Sequence, residues 1–78
     1  MLHIKYYARP NCPLCTEGLI TLQLVQEDLH FTIETINIEE DEASHEKYML
    51  MIPVVEKDGD IIQYGALDYV TLMEALGE

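Results

Sequence analysis

The sequence predicts an α/β domain with the element order β-α-β-α-β-β-α. Three observations carry that expectation: a period-two pattern at the start of the chain, a long helical repeat behind it, and an Asp-Gly pair between two short apolar runs near the end.

The first strand is "LHIKYYA", residues 2–8, which sets Leu2, Ile4, Tyr6 and Ala8 on one face and His3, Lys5 and Tyr7 on the other. It stops at the loop signal "RPN". From Pro13 to Leu29 the apolar positions Leu19, Leu22, Val25 and Leu29 recur at helical spacing, with Gly18 the one weak helix former. "FTIETINI", residues 31–38, is rich in β-branched residues and follows the helix after a short break, so it is expected to pair parallel to the first strand through a right-handed crossover. Residues 43–51 form a short helix that turns Ala43, Tyr48 and Met51 inward. Residues 53–64, "PVVEKDGDIIQY", form an antiparallel hairpin, because Asp58-Gly59 accepts the positive φ angles of a tight turn. The last helix covers 66–76, with Leu67, Val70, Met73 and Leu76 along one side and Gly77 where the helix stops.

The chain of 78 residues has room for one small domain, expected to span 1–78. The longest apolar run, residues 48–55, is far short of the roughly 20 residues a membrane helix needs. The first ten residues carry no basic lead followed by an apolar stretch, so a cytoplasmic location is expected. Fifteen acidic residues against four basic ones give a net charge of −11, densest in "NIEEDEASHE", residues 37–46. A field of that sign repels phosphate, which argues against nucleic acid or an anionic membrane as partner. The acidic run itself reads as a solvated loop and helix start.

Cys12 and Cys15 carry the chemistry. A cysteine is nucleophilic only as thiolate, and a free thiol titrates near ~8.5, so something must stabilise the anion. Pro13 directly after Cys12 favours the first helical position, which makes Cys12 the N-cap and turns its sulfur toward unpaired backbone N–H groups and the positive end of the helix. Arg9 adds a positive charge three residues earlier. Cys15, one turn on and within disulfide reach, starts inside the helix and is the resolving thiol. A staple closing so short a loop would restrict the unfolded chain very little. A closed zinc site needs four ligands, and His3, His30 and His45 show no short pairing and no second CxxC, so no metal is expected. Taken on their own residues, Pro53 opens a strand, Gly65 serves a turn, Asp68 is a first-turn carboxylate, and Tyr6 and Tyr7 are strand packing.

These residues resemble the glutaredoxin-like branch of the thioredoxin superfamily. The likeness runs through "RPNCPLC", "MIPVV", "DGDII" and "YGALD", and so covers nearly the whole chain. It implies a thioredoxin-like fold: a four-stranded mixed sheet in the order 2-1-3-4 with helices on both faces. It also implies that Cys12 is the nucleophile and Cys15 resolves the mixed disulfide. Substrate-binding positions implied by the likeness are Arg9, Pro13, Leu14, Ile52, Pro53, Gly65 and Asp68. Pro53 would be a cis-proline, Ile52 would offer backbone hydrogen bonds to a bound peptide or glutathione, and Asp68 would meet the glutathione α-amino group. Departures from the family pattern are Leu14 for an aromatic residue, Met51 for a threonine, and Gly65-Ala66 for a Gly-Gly pair.

The expectation is therefore a monomeric thiol-disulfide oxidoreductase acting on a disulfide-containing protein or small molecule. It would hold no tightly bound cofactor and would draw electrons from glutathione, as co-substrate, or from thioredoxin reductase. The alternative from a different class is a binding module of the same fold, or a carrier that holds an iron-sulfur cluster through Cys12 and an added thiol.

Overall fold

The structure is a computed structural model, and it describes residues 2–77. Strand β1 (His3–Ala8) leads into α1 (Pro13–Leu29) and β2 (Thr32–Asn37). A single 3₁₀ turn (Ile38–Glu40) and α2 (Glu42–Tyr48) follow, then β3 (Val54–Lys57), β4 (Asp60–Tyr64) and α3 (Tyr69–Leu76). The four strands form one sheet in the order β2-β1-β3-β4. β1 pairs parallel with β2 from His3↔Thr32 to Ala8↔Asn37, and antiparallel with β3 from Ile4↔Lys57 to Tyr7↔Val54. The element order, the sheet order and the mixed pairing agree with the expectation from sequence.

β1 is central, so both of its faces are covered. Ile4, Tyr6 and Val55 pack with Leu22, Val25, Leu72 and Leu76 under α1 and α3. Tyr7 and Val54 pack on the other face with Ile38 and Tyr48. Tyr7 and Tyr48 meet with ring centroids 4.6 Å apart, tilted by 48°, an arrangement aromatic quadrupoles favour. Burial, with the Glu56 carboxylate as a second cause, pushes the Tyr7 hydroxyl up to about 12. The alternation read for residues 2–8 is thus uneven: Ile4, Tyr6 and Ala8 are buried on one face, whereas on the other Tyr7 is buried against Tyr48 of α2 while His3 is exposed and Lys5 half-buried.

The hairpin turns on Asp58 (φ 51°) and Gly59 (φ 85°), the two positive φ angles a primed two-residue turn requires. Its register shifts between Val55↔Gln63 and Glu56↔Ile61, which leaves Ile62 as a bulged residue in β4. The acidic run opens helices. The Asn37 side chain accepts from the Glu39 N–H at 2.9 Å to start the 3₁₀ turn, and Asp41 and Glu42 lie at the start of α2, where the helix dipole favours negative charge. Among the described residues no helix is long and apolar enough to cross a membrane.

Two helix faces differ from the sequence reading. In α2 the buried residues are Ser44 and Tyr48, while Ala43 is exposed. Ser44 can be buried because its hydroxyl donates to the Asp41 carboxylate. In α3 the helix begins at Tyr69, three residues later than the pattern suggested, because Gly65 takes a positive φ (76°) and Asp68 caps the first turn. Leu72 and Leu76, four residues apart on one face, fill the core and Val70 is 60% exposed. Leu72→Ala is expected to destabilise the fold by about 2–5 kcal/mol and Val70→Ala by no more than about 0.5 kcal/mol. Urea unfolding of the two variants checks that difference.

Candidate functional site

Helix α1 begins where the first cysteine ends the loop. Asn11 takes a left-handed φ of 57°, which asparagine tolerates better than most residues. Cys12 follows in extended conformation as the N-cap, with Pro13 in the first helical position. The Cys12 sulfur accepts the Cys15 backbone N–H at 3.1 Å, and the Cys12 carbonyl accepts the Thr16 N–H at 3.0 Å. Cys12 and Cys15 are joined as a disulfide with Cα atoms 5.2 Å apart, inside the usual range for such a bond. Cys12 keeps 9% of its surface exposed and Cys15 4%, so the first residue is the more exposed of the two. Leu14, between them, is exposed at the surface.

Below the dithiol, four segments meet at Gly18. A Cβ placed on Gly18 would lie 2.6 Å from the Tyr6 hydroxyl, 3.1 Å from Leu67 Cδ1 and 3.1 Å from Pro53 Cγ. Glycine at this point lets α1 close on β1, on the proline loop and on the segment that leads into α3. The Tyr6 hydroxyl, buried in the core, donates to the Cys15 carbonyl at 2.5 Å. Burial pushes that hydroxyl well above the usual tyrosine range, so it stays protonated and acts as a donor.

The Ile52-Pro53 peptide is cis, and Pro53 is fully buried. The backbone around it is fixed from the far side by Gly65, whose N–H donates to the carbonyls of Met51 (3.1 Å) and Pro53 (2.9 Å). The Ile52 N–H donates to the Tyr48 carbonyl at 3.1 Å. Of the backbone groups expected to serve a ligand at Ile52, the donor is thus engaged inside the protein. Asp68 is the N-cap of α3, and one carboxylate oxygen accepts from both the Thr71 N–H and the Thr71 hydroxyl at 2.8 Å. Those two bonds, the backbone one first, hold its carboxyl below the usual range. The Asp68 N–H is taken by the Gln63 side chain at 3.0 Å. Arg9 is exposed and borders a depression of about 190 Å³ with Ala8, Pro10, Thr35 and Asn37. Among the described residues no group of three His, Cys, Asp or Glu side chains is arranged to hold a metal ion.

A helix that opens on a Cys-x-x-Cys pair, a buried cis-proline against it and a β2-β1-β3-β4 sheet coincide with one family model, described as a glutaredoxin-like domain (DUF836), which matches residues 3–77. The chain belongs to this glutaredoxin-like family. Among solved structures it is similar to protein Ne2328 from Nitrosomonas europaea, with 26% identity and a TM-score of 0.83 over 96% of this chain and 91% of that one. It is also similar to protein XcR50 from X. campestris, at 23% identity and TM-score 0.82 over 95% of each chain. Thioredoxin 1 from Thermosipho africanus shares the fold at 20% identity and TM-score 0.63, over 96% of this chain and 94% of that one. No sequence among curated proteins matches.

Within this glutaredoxin-like frame the structure brings Cys12, Pro13, Leu14 and Cys15 to the start of α1, with Pro53 packed beside Gly18 one turn further on. Ile52 packs against the core clusters on both sides of the sheet. Gly65 supports the proline loop through its backbone, and Asp68 starts α3. The sequence reading missed three contributors: Tyr6 as a donor to the dithiol turn, Gly18 as a close-approach position, and Gln63 as the holder of Asp68. A lone glycine inside an otherwise strong helix pattern was the available signal for Gly18.

Gly18→Ala is expected to lower the melting temperature. Overpacking against a pinned tyrosine is worth about 1–3 kcal/mol, more than the up to about 1 kcal/mol of helix propensity that alanine gains. Asp68 supplies a pH-dependent contribution. Its carboxyl ionises at lower pH in the folded protein than in the unfolded chain, so its stabilisation is fully present above the ordinary carboxylate range. It is lost as pH falls through the lower folded value. Asp68→Asn keeps a capping side chain but removes that dependence, and thermal melts below about pH 4 should decline less steeply for the variant than for the native protein.

Proposed function

We propose that the protein is a thiol-disulfide oxidoreductase that works by a dithiol cycle at Cys12 and Cys15. The observation that carries this reading is the Cys12 sulfur at the N-cap of α1, accepting the Cys15 N–H at 3.1 Å. When the disulfide is reduced, the same N–H faces a thiolate. A hydrogen bond to the charged form, together with the positive end of a 17-residue helix, favours thiolate over thiol. The more accessible cysteine is thus also the one held ready as a nucleophile.

In the forward cycle the Cys12 thiolate attacks one sulfur of a substrate disulfide. A Cys12–substrate disulfide forms, and the other substrate sulfur leaves as thiolate and takes a proton from water. Cys15 then loses its proton to solvent and attacks the Cys12 sulfur, forming the Cys12–Cys15 disulfide and releasing the second substrate thiol. The substrate disulfide gains two electrons, and the protein dithiol loses them. A thiol reductant restores the pair: either two molecules of glutathione, which leave as glutathione disulfide, or the reduced dithiol of thioredoxin reductase. No base is needed for the first step, because the thiolate is itself the reactant.

The substrate is a disulfide-containing protein or small molecule, and the protein acts as a monomer in a reducing compartment such as the cytoplasm. The net charge of −11 favours a protein partner with a basic docking face. No tightly bound cofactor takes part. Ile52 bears on the donor: with its N–H given to the Tyr48 carbonyl, a glutathione molecule would have to displace that contact, whereas the Thr71 bonds occupy only one of the two Asp68 carboxylate oxygens.

Cys12→Ser is expected to abolish reduction of a model disulfide, whereas Cys15→Ser should accumulate a covalent adduct one substrate thiol heavier, visible by mass spectrometry. Equal activity in the two variants would contradict the assignment. Oxidation of NADPH, followed once with glutathione plus glutathione reductase and once with thioredoxin reductase, identifies the electron donor.

A further inference from the structure

Tyr6 lies directly beneath the dithiol, and its hydroxyl does more than strand packing requires. Only 1% of the residue is exposed, so the phenol needs a partner inside the protein. The partner is the Cys15 carbonyl at 2.5 Å, a group inside α1 whose helical ladder calls for no outside donor. The Cys15 residue is therefore held at both ends. Its N–H donates to the Cys12 sulfur at 3.1 Å and its carbonyl accepts from β1 through Tyr6. Gly18 makes room for this contact, since a Cβ there would sit 2.6 Å from the same hydroxyl.

We propose that Tyr6 is a positioning residue for the resolving step: by gripping the Cys15 carbonyl it fixes the Cys15 sulfur within reach of a mixed disulfide formed on Cys12. The proposal rests on the dithiol cycle above. The two steps of that cycle make different demands. Attack by Cys12 on an outside disulfide depends on the N-cap environment of the Cys12 sulfur and on access. Resolution depends on where the Cys15 sulfur stands, and small displacements of a reacting atom slow an intramolecular step steeply. In resolution the Cys15 thiol yields its proton to solvent, a bond forms between the two protein sulfurs, and the substrate sulfur departs with the electron pair of the bond that breaks.

The test is a stopped-flow reaction of the reduced protein with one equivalent of dithiobis(nitrobenzoate), whose two coloured thiolates are released in turn. The first release reports Cys12 attack and the second reports resolution. In Tyr6→Phe the first phase should stay within about twofold of the native rate. The second should slow by about 3- to 10-fold, the range for one lost hydrogen bond. Two unchanged phases, or two phases slowed alike, would overturn the proposal. Failure of the unaltered protein to release a second equivalent would instead overturn the dithiol cycle itself, so the two claims fail separately. Gly18→Ala provides a second route, because it keeps the phenol and displaces its hydroxyl. It should slow the second phase selectively, and combining it with Tyr6→Phe should slow that phase no more than Tyr6→Phe alone. Additive effects of the two changes would count against a shared action through the Cys15 carbonyl.

Discussion

Helix α1 begins at Pro13, whose ring has no N–H to leave unpaired, and that start sets the Cys12 sulfur against the Cys15 N–H. Most of the molecule serves to hold this helix start in place. β1 delivers the chain to it, Asn11 bends the loop through a left-handed conformation, and the α1 stripe of Leu22 and Val25 anchors the helix over Ile4 and Tyr6. The parallel β1–β2 pair then fixes the far end of the crossover, with the His30 N–H closing on the Gln26 carbonyl at 2.9 Å.

The contact at Gly18 links this helix start to the rest of the domain. Tyr6 from β1, Pro53 from the loop before β3 and Leu67 from the segment before α3 all approach the same glycine. Gly65 ties the ends of that arrangement together by donating to the carbonyls on either side of Ile52-Pro53. Close-packed interiors transmit small changes in volume, so a side chain added at Gly18 presses on β1, the proline loop and the segment before α3 together. Their sequence positions are far apart, and their coupling comes from the sheet order that sets β3 beside β1.

The elements whose signals are local were legible in the sequence. The α1 limits, the Asp58-Gly59 turn and the N-cap placement of Cys12 follow from proline, glycine and apolar spacing alone, whereas the sheet order was implied by the family resemblance. What was not legible depends on tertiary contact. Gly18 reads as a weak helix former until Tyr6 is seen above it. Val70 was read in a stripe of residues three apart, which drifts by about 60° a step around a helix, and the pair Leu72 and Leu76, four apart, faces the core instead. Asp68 carried two readings, a ligand for glutathione and a first-turn carboxylate. The two are compatible, because the α3 cap through Thr71 uses one carboxylate oxygen and a carboxylate has a second to offer. Ala43 and Ser44 exchanged places because a neighbouring carboxylate satisfied a buried hydroxyl, a pairing that periodicity does not record.

The architecture of the α1 start is expected to make Cys12 an unusually acidic thiol. Titration of the reduced protein by ultraviolet thiolate absorbance, with Cys15→Ser isolating the first sulfur, measures this directly. Cys12 is expected to ionise well below the ~8.5 of a free cysteine. A Cys12 that titrates like a free thiol would contradict it, because the N-cap hydrogen bond and the helix dipole would then have no hold on the sulfur they face.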